Sequence, residues 1–466
     1  MALALVGIVL AYLAVTLTFS FLTRAGESNG ELDHVVYVEH LLRDNAIPRI
    51  SADNGHESHQ PPLYYLVTAA WQKLLGIHTF ELVLGPAPTS RPGVPPLKLS
   101  HTYTKDQLQG VRDVHQLRLL SVLFGLGTVL LTFAAARLAT GRDGIALAAS
   151  LAVALWPKEV VVSSAVTNDS LVILLSSLAL VVLLLWLRVG TSDGVRSRLF
   201  AVDLGLVLGA AILTKFNALP LLPVALAVIL GVAFRHRGRE RIGQLIDALL
   251  VIIGCLAVCG WWLLRNNHLY GDYFAVKASN AYLRSWLPGL ISPVSWFNTN
   301  RMLHYVPSHL LRSVWYDGGW NQFMLPGWLN KVLTALAAYA VVLFAVAAAR
   351  RYQRLARPAA TAALAGAALA GVVAVMGVAK DSLQAEGRIA FVGLAAFATI
   401  LVAGASQAGP LIVRRLRAGI ASAPDGSSEL APPPAAELVG LLVWPAVFLA
   451  IDLYVFFHFV WPTRGL

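Results

Sequence analysis

The sequence predicts an all-α polytopic membrane protein with about eleven helical spans of ~20 residues each. Of its 466 residues, 57% are hydrophobic and only 13% are charged, whereas a soluble domain is about half apolar and a quarter charged. Its arginines cluster in short segments between apolar runs, the charge bias that marks cytoplasmic loops. The net charge of +11 therefore indicates orientation in a membrane, and we expect membrane lipids rather than nucleic acid as partners.

The apolar runs define one transmembrane domain over residues 1–466. The predicted spans are 3–23, 115–136, 144–157, 168–188, 200–214, 217–234, 244–264, 329–349, 359–378, 388–408 and 437–461. With the arginine clusters inside, the N-terminus is cytoplasmic and two long loops, 24–114 and 265–327, lie outside. The segment 158–167 either continues the third span or forms an exposed turn. The Ala-, Pro- and Ser-rich stretch 410–436 is predicted to be a flexible cytoplasmic linker before the last span.

The first long loop, 24–114, is predicted to carry two short membrane-surface helices. Apolar residues recur at helical spacing over 31–42, which is typical of an amphipathic helix on a bilayer. A second helix over 63–75 is expected to begin after Pro61-Pro62, since proline suits a first helical turn. Among the spans, Asn168-Asp169-Ser170 is predicted to cap the fourth, because these residue types favour helix starts.

The start of the first loop holds the candidate catalytic residues Glu31, Asp33 and His34. Adjacent carboxylates and an imidazole can bind a cation, or one carboxylate can act as a general base. Because a lipid head would lie beside this loop start, the three residues are well placed for chemistry on a lipid. A solvated surface helix with ordinary charges is the alternative interpretation.

A second polar motif, His56-Glu57-Ser58-His59-Gln60-Pro61-Pro62-Leu63-Tyr64-Tyr65, follows in the same loop. Its two imidazoles and one carboxylate could hold a metal ion, although the helical His-Glu-x-x-His spacing is absent. Glu57, His59 and Gln60 are candidate substrate-binding residues. The amphipathic rings of Tyr64 and Tyr65 serve either to contact substrate or to anchor the loop at the interface.

Several charged or polar side chains fall at the predicted outer ends of spans, the same side as the acidic loop. Those that could bind substrate are Asn168, Asp169, Lys215, Arg265 and Arg388. Each cation alone is explained by snorkelling to the membrane surface. Together they predict a composite site for an anionic lipid, because a phosphate head needs cations or N–H donors.

The order of these motifs resembles the GT-C superfamily of integral membrane glycosyltransferases. The superfamily includes protein O-mannosyltransferases and the aminoarabinose transferase of lipid A. The resemblance covers nearly the whole chain and is closest to a less characterised bacterial branch. It is carried by Glu57 to Tyr65 and by Ala165-Val166-Thr167-Asn168-Asp169-Ser170-Leu171, Leu213-Thr214-Lys215, Trp262-Leu263-Leu264-Arg265-Asn266, Tyr270-Gly271-Asp272 and Gln384-Ala385-Glu386-Gly387-Arg388. In the first-loop motif, usually Asp-Glu-x-x-His, glycine stands at position 30 in place of the aspartate.

The resemblance implies a GT-C helix bundle in the cytoplasmic membrane that moves a sugar from a polyprenyl-phosphate donor to a lipid- or protein-linked acceptor. Transfer would be inverting, with Glu31 or Asp33 as the base. Lys215, Arg265 and Arg388 would meet the phosphate charge. A divalent metal ion held by Glu31, His34 and His59 is compatible with the resemblance but not required by it. The alternatives are a transporter or flippase of lipid-linked sugar, and a catalytically silent relative that binds lipid.

Overall fold

The computed structural model describes residues 1–26, 28, 30–51, 54–77, 105–189, 194–286, 301–318, 323–350, 358–381, 385–420 and 434–461. Parts of both predicted outer loops, 78–104 and 287–300, lie outside these ranges, as does the stretch 421–433 of the predicted linker.

Within these ranges the protein is helical, apart from a two-stranded ribbon. The helices are α1 (Ala2–Leu22), α2 (Glu31–Asp44), α3 (Leu63–Leu74), α4 (Lys105–Thr140), α5 (Asp143–Ala154), α6 (Pro157–Ser163), α7 (Asn168–Val189), α8 (Gly194–Thr214), α9 (Leu221–Ala233), α10 (Gly238–Tyr270), α11 (Val276–Trp286), α12 (Val306–Ser313), α13 (Gly327–Ala349), α14 (Pro358–Asp381), α15 (Leu394–Ile420) and α16 (Pro434–Val455). Short 3-10 turns cover His56–His59, Phe216–Ala218 and Gly387–Gly393, and π turns cover Arg301–Tyr305 and Phe456–Val460. Strands β1 (Asp317–Gly318) and β2 (Phe323–Met324) pair antiparallel, with Asp317 opposite Met324.

The long helices confirm the predicted class of an all-α polytopic membrane protein. Ten described helices are long and apolar enough to cross a membrane, and an eleventh span results if the bent pair α5 and α6 is counted as one. The spans pack side by side, with α8 between α7 and α10, and α15 between α13 and α16. The chain is therefore a multi-pass membrane protein.

The segment after α5 is a buried break, neither a straight continuation of the third span nor an exposed turn. The axes of α5 and α6 differ by 61°, and Pro157, which lacks a backbone N–H, begins α6. The indole N–H of Trp156 donates to the Val314 carbonyl at 2.8 Å. Its ring stacks on Trp315, which stacks in turn on Trp444, with ring centroids 5.6 and 5.7 Å apart. These contacts fix the second long loop to the bundle.

The two helices predicted in the first loop are both present, as α2 and α3. They enclose a small hydrophobic cluster of their own, in which the rings of Tyr37 and Tyr65 stack with centroids 3.7 Å apart. Leu117 of α4 and Leu171 of α7 complete this cluster. The apolar face of α2 is therefore buried against protein, and it fixes the loop over the ends of two spans.

Several predicted boundaries are wrong by six residues or more. Helices α4, α8 and α10 begin at Lys105, Gly194 and Gly238, ahead of the predicted span starts at 115, 200 and 244. Helix α10 continues six residues beyond the predicted end at 264 and stops at Tyr270, where Gly271 takes a left-handed conformation (φ 65°) that terminates it. Helix α15 continues to Ile420, so the predicted linker over 410–436 is helical in its first part. The Leu, Arg and Ala residues of that part are good helix formers, which explains the extension.

The interface between α8 and α10 depends on glycines. A Cβ added at Gly209 would lie 2.5 Å from the Cys255 carbonyl oxygen, and one at Gly205 would lie 2.5 Å from that of Val251. Small residues four apart let two helix backbones approach closely, which compensates for the weak hydrophobic driving force between helices in lipid. The backbones of α8 and α10 are therefore in direct contact.

We expect Gly209→Leu to destabilise the protein by roughly 1–3 kcal/mol, because the added side chain must push the two backbones apart. Thermal unfolding in detergent measures this as a lower melting temperature. Gly231→Leu is the matched control, since a Cβ at Gly231 of α9 meets nothing within 4 Å. Equal melting temperatures for both variants would contradict this packing.

Candidate active site

The first residue of α2, Glu31, is fixed by a buried ion pair with Arg118 of α4. Both side chains are fully buried, and the guanidinium Nε and Nη2 bind the two carboxylate oxygens at 2.7 Å each. The remaining Arg118 donors bind carbonyl oxygens at the end of α1, those of Ser20, Thr23 and Arg24, at 2.6 to 2.9 Å. Arg118 thus supplies partners for carbonyls that a helix end leaves without any.

The Glu31 carboxylate accepts two further hydrogen bonds from backbone N–H groups. The Val166 N–H binds Oε1 at 3.0 Å and the Gly26 N–H binds Oε2 at 2.8 Å. Burial alone would raise the pKa of Glu31, but the charge and hydrogen bonds of Arg118 and these N–H groups hold it below its usual value. Glu31 is therefore ionised, and its two oxygens each accept two bonds. This arrangement suits a positioning residue better than a base.

Asp33 and His34, the other candidates of the first-loop motif, have different surroundings. Asp33 is half-buried and interacts electrostatically with Tyr282 of α11. His34 is buried, and its Nδ1 lies 2.9 Å from the Tyr65 hydroxyl. Burial lowers the pKa of His34 from 6.5 to about 4, so its imidazole is neutral near pH 7.

Tyr65 links His34 to the start of α7. The Asn168 amide Nδ2 donates to the Tyr65 hydroxyl at 3.5 Å. Tyr64 is also buried and packs edge-on against Tyr65, with centroids 5.4 Å apart. Both tyrosines are therefore inside the protein, where Tyr65 positions His34 and Tyr64 supports Tyr65.

Asp169 binds two cations from different spans. Its Oδ1 lies 2.6 Å from the Lys215 Nζ, and its Oδ2 lies 3.2 Å from Nη1 of Arg388. Glu386 holds the other side of the Arg388 guanidinium, with Oε2 2.5 Å from Nε. The sequence predicts only that Asp169, Lys215 and Arg388 lie at span ends. In the structure they form one network of ion pairs, which we call the cation network.

The helix start at α7 is capped by Thr167 rather than by the predicted Asn168-Asp169-Ser170. The Asp169 N–H donates to the Thr167 hydroxyl at 3.3 Å. Because Thr167 caps the helix, the Asn168 and Asp169 side chains are available for Tyr65 and the cation network. Backbone breaks at the 3-10 turns 216–218 and 387–393 place Lys215 and Arg388 at the same level.

Three other predicted substrate-binding residues, Arg265, His59 and Gln60, have separate surroundings. Arg265 donates to the Pro48 carbonyl at 3.0 Å and lies over the Trp262 ring at 4.7 Å, so it docks the first loop on α10. His59 and Gln60 are half-buried and pair with each other, with their Nε2 atoms 3.1 Å apart. None of these contacts is to the cation network.

The predicted metal set of Glu31, His34 and His59 does not fit the structure. Across the ranges that the structure describes, no group of three or more His, Cys, Asp or Glu side chains is arranged to hold a metal ion. Each Glu31 carboxylate oxygen also accepts one hydrogen bond from Arg118 and one from a backbone N–H group. We therefore derive no catalytic step through a metal.

A cleft opens beside the cation network, and we call it the donor cleft. The lining of its polar part includes Ser28, Lys158, Thr167, Asp317 and Arg388. An adjoining apolar part is lined in part by Phe19, Tyr316, Phe323, Phe459 and Val460. Ser28, Val161 and Gly318 line both parts, so the two parts lie side by side.

Two of the site's ion pairs contain a residue that the motifs did not identify. Arg118 was overlooked inside the predicted second span, where a charge among apolar residues is a signal of function or of a buried partner. Asp317 forms a buried ion pair with Lys158 at the edge of the donor cleft. No spacing in the sequence connects residues 158 and 317, which meet only because the second loop docks on the break before α6.

Comparison with known proteins supports this fold. A family model described as dolichyl-phosphate-mannose-protein mannosyltransferase matches residues 106–262. Among solved structures, the chain is similar to the oligosaccharyltransferase of Archaeoglobus fulgidus tethered with an acceptor peptide (TM-score 0.50, 13% identity, covering 96% of this chain and 54% of that chain). It is similar to AglB of the same organism in complex with an inhibitory peptide and a dolichol-phosphate (TM-score 0.50, 12% identity, 97% and 54%).

A third similar structure is ArnT from Cupriavidus metallidurans bound to undecaprenyl phosphate, with a TM-score of 0.48 and 16% identity, covering 98% of this chain and 74% of that one. No curated protein sequence matches the chain. The chain spans about half the length of the archaeal proteins. Its fold is that of GT-C membrane proteins, and the resemblance to the GT-C superfamily of membrane glycosyltransferases is confirmed at that level.

Replacing Arg118 by leucine should destabilise the protein by roughly 3–5 kcal/mol, because the Glu31 charge would stay buried without its partner. The measurement is thermal unfolding of Arg118→Leu in detergent. The control is Arg43→Leu, since Arg43 pairs with Asp44 at the surface with a side chain 66% exposed. An Arg118 variant as stable as the control would contradict the structural role of this ion pair.

Proposed function

We propose that the protein transfers a sugar from a polyprenyl-phosphate donor to a hydroxyl group of a lipid- or protein-linked acceptor. The observation that carries this proposal is the donor cleft, with cations at one end and apolar side chains at the other. An isoprenoid phosphate has the same two parts in the same order. The fold, shared with membrane glycosyltransferases, supports the assignment.

The polar end of the donor cleft suits a phosphate group. Lys158 and Arg388 line it, and Lys215 joins Arg388 through Asp169. Cations and their N–H groups bind phosphate oxygens through charge-assisted hydrogen bonds. When the sugar leaves, the lipid phosphate gains negative charge, and fixed cations in a site poor in water stabilise that charge.

The apolar end suits an isoprenoid chain. Phe19 of α1 and Phe459 after α16 line it together with Phe323. Each buried CH₂ group of a lipid contributes about 0.8 kcal/mol. AglB, which has the same fold, was solved in complex with a dolichol-phosphate, and this supports a lipid-phosphate ligand here.

The reaction we propose is an inverting transfer assisted by a first-loop carboxylate. The acceptor oxygen attacks the anomeric carbon, its proton passes to the carboxylate, and the bond from that carbon to the phosphate oxygen breaks. Arg118 and backbone N–H groups already bind both oxygens of the Glu31 carboxylate. We therefore propose that a different carboxylate of the first loop acts as the base. We further propose a cytoplasmic-membrane location with the N-terminus inside and the donor cleft outside, following the arginine distribution.

The test is sugar release from a panel of radiolabelled polyprenyl-phosphate hexoses and pentoses by purified protein in nanodiscs. We expect Arg388→Gln to lower turnover by about 100- to 1000-fold, the usual loss when a donor to the developing charge is removed. Arg198→Gln, an exposed arginine of α8, should leave turnover unchanged. Saturable lipid binding with no sugar release from any donor would instead favour a lipid carrier or a silent relative.

A further inference from the structure

We infer that Asp317 is the counter-ion that the donor phosphate displaces from Lys158, and that it favours release of the bare lipid phosphate after the sugar has left. This role deepens the proposed function and rests on it, because it concerns how the donor cleft binds its lipid. Asp317 belongs to strand β1 of the second long loop, so this loop takes part in binding the donor and releasing the product.

The charges at the polar part of the donor cleft balance one another. Each cation that lines this part, or joins it through the cation network, is paired with a carboxylate: Lys158 with Asp317, Lys215 with Asp169, and Arg388 with Asp169 and Glu386. Three cations thus face three carboxylates. A phosphate gains an ion pair with one of these cations only if a carboxylate gives up that cation.

Asp317 is the carboxylate best placed to do so. It lines the polar part together with Lys158, whereas Asp169 and Glu386 are not among the described lining residues. Apart from the ion pair with Lys158, neither carboxylate oxygen of Asp317 has a hydrogen-bond partner among the described residues. Asp169, by contrast, binds two cations and accepts a hydrogen bond from the Thr167 hydroxyl at 3.3 Å. Displacing Asp317 therefore breaks one ion pair and no other bond of its side chain.

The backbone around Asp317 can stay in place during this exchange. The Lys158 backbone N–H donates to the Trp315 carbonyl at 3.1 Å, and the Lys158 Nζ donates to the Asp317 backbone carbonyl at 3.2 Å. An ammonium group has three donors. Lys158 can therefore keep the backbone carbonyl of Asp317 while it exchanges the carboxylate for a phosphate oxygen.

Burial makes an anion necessary at Lys158 whether or not lipid is bound. The side chains of Lys158 and Asp317 are 3% and 1% exposed. A buried charge that loses its partner is strongly destabilising. The carboxylate and the phosphate are therefore alternative partners of one ammonium group, and they compete for it.

This competition distinguishes the donor from the product. The donor phosphate is a diester with one negative charge, whereas the lipid phosphate left after transfer is a monoester with a charge of about −1.5 to −2 at pH 7. A carboxylate beside the phosphate repels the product more strongly than the donor. The donor sugar also has hydroxyl groups that can donate to the displaced carboxylate, and the product has none. The return of Asp317 to Lys158 therefore promotes release of the product.

The experiment measures the affinity of purified protein in nanodiscs for undecaprenyl phosphate. Asp317→Asn should bind this lipid about 10-fold more tightly than wild type, because the phosphate no longer competes with a carboxylate. Lys158→Gln should bind it about 10-fold more weakly or worse, the order of magnitude of one charge-assisted hydrogen bond. In the double variant Lys158→Gln/Asp317→Asn, the change at position 317 should gain much less, because Asp317 acts through Lys158.

Steady-state transfer with the donor panel separates this role from a purely structural one. Asp317→Asn should lower kcat and KM together, because slower product release becomes rate-limiting, while sugar transfer in a single turnover stays close to that of wild type. Asp317→Glu keeps the negative charge and should restore the affinity of wild type for undecaprenyl phosphate. Asp143→Asn is the matched control and should change neither quantity, since the ion pair of Asp143 with Arg137 is half exposed.

Melting temperatures show whether each variant is folded. A folded Asp317→Asn that binds undecaprenyl phosphate no more tightly than wild type would overturn the inference and leave the proposed function standing. If Asp317→Asn does not fold, a structure of wild type with undecaprenyl phosphate decides: Lys158 on the phosphate with the Asp317 carboxylate turned away supports the exchange, and an intact ion pair overturns it. No sugar release by wild type would overturn the proposed function, while the affinities would still decide whether phosphate displaces Asp317.

Discussion

The buried ion pair of Glu31 and Arg118 is the interaction on which the site depends. Isolated buried charges are costly, and a pair is retained only where its remaining donors and acceptors are satisfied. Here Arg118 donates to carbonyl oxygens at the end of α1, and Glu31 accepts a hydrogen bond from the N–H of Val166 just before α7. The pair therefore ties together α1, α2, α4 and the start of α7, and it sets the position of the first-loop helix that carries His34.

Breaks in the spans supply the other half of the site. The chain leaves regular α-helix between α5 and α6, before α7, at 216–218 and at 387–393. Irregular backbone is tolerated at membrane depth where it is buried in protein or lines a cavity. Each break here contributes a charged or polar side chain to the donor cleft or to the cation network: Lys158, Asp169, Lys215 and Arg388.

Composition and periodicity were sufficient for the class of fold. The spans, the helices α2 and α3 and the position of Asp169, Lys215 and Arg388 at span ends follow from apolar run lengths, proline positions and charge bias. These signals are local, so they do not show which charges pair. For that reason they do not identify Arg118, which lies in an apolar run, as the partner of Glu31, and they leave the base open between Glu31 and Asp33.

The limits of local reasoning are clearest for Arg265 and Glu57. Arg265 stands at a span end like Arg388, yet the length of α10 directs it to the carbonyls of Ile47 and Pro48. Glu57 is 26 positions from Glu31 in sequence, and its proximity to Gly30 results from the packing of α2 on the 3-10 turn. These contacts join segments that are far apart in the sequence, so residue spacing does not predict them.

The central claim is that the donor cleft holds an isoprenoid phosphate with its charge against the cation network. A cryo-EM structure with bound undecaprenyl phosphate tests it most directly. We expect phosphate oxygens within hydrogen-bond distance of Arg388 and of Lys158 or Lys215, and an isoprenoid chain between Phe19 and Phe459. A phosphate bound elsewhere, for example beside Arg265, with the cleft unoccupied by lipid, would contradict it.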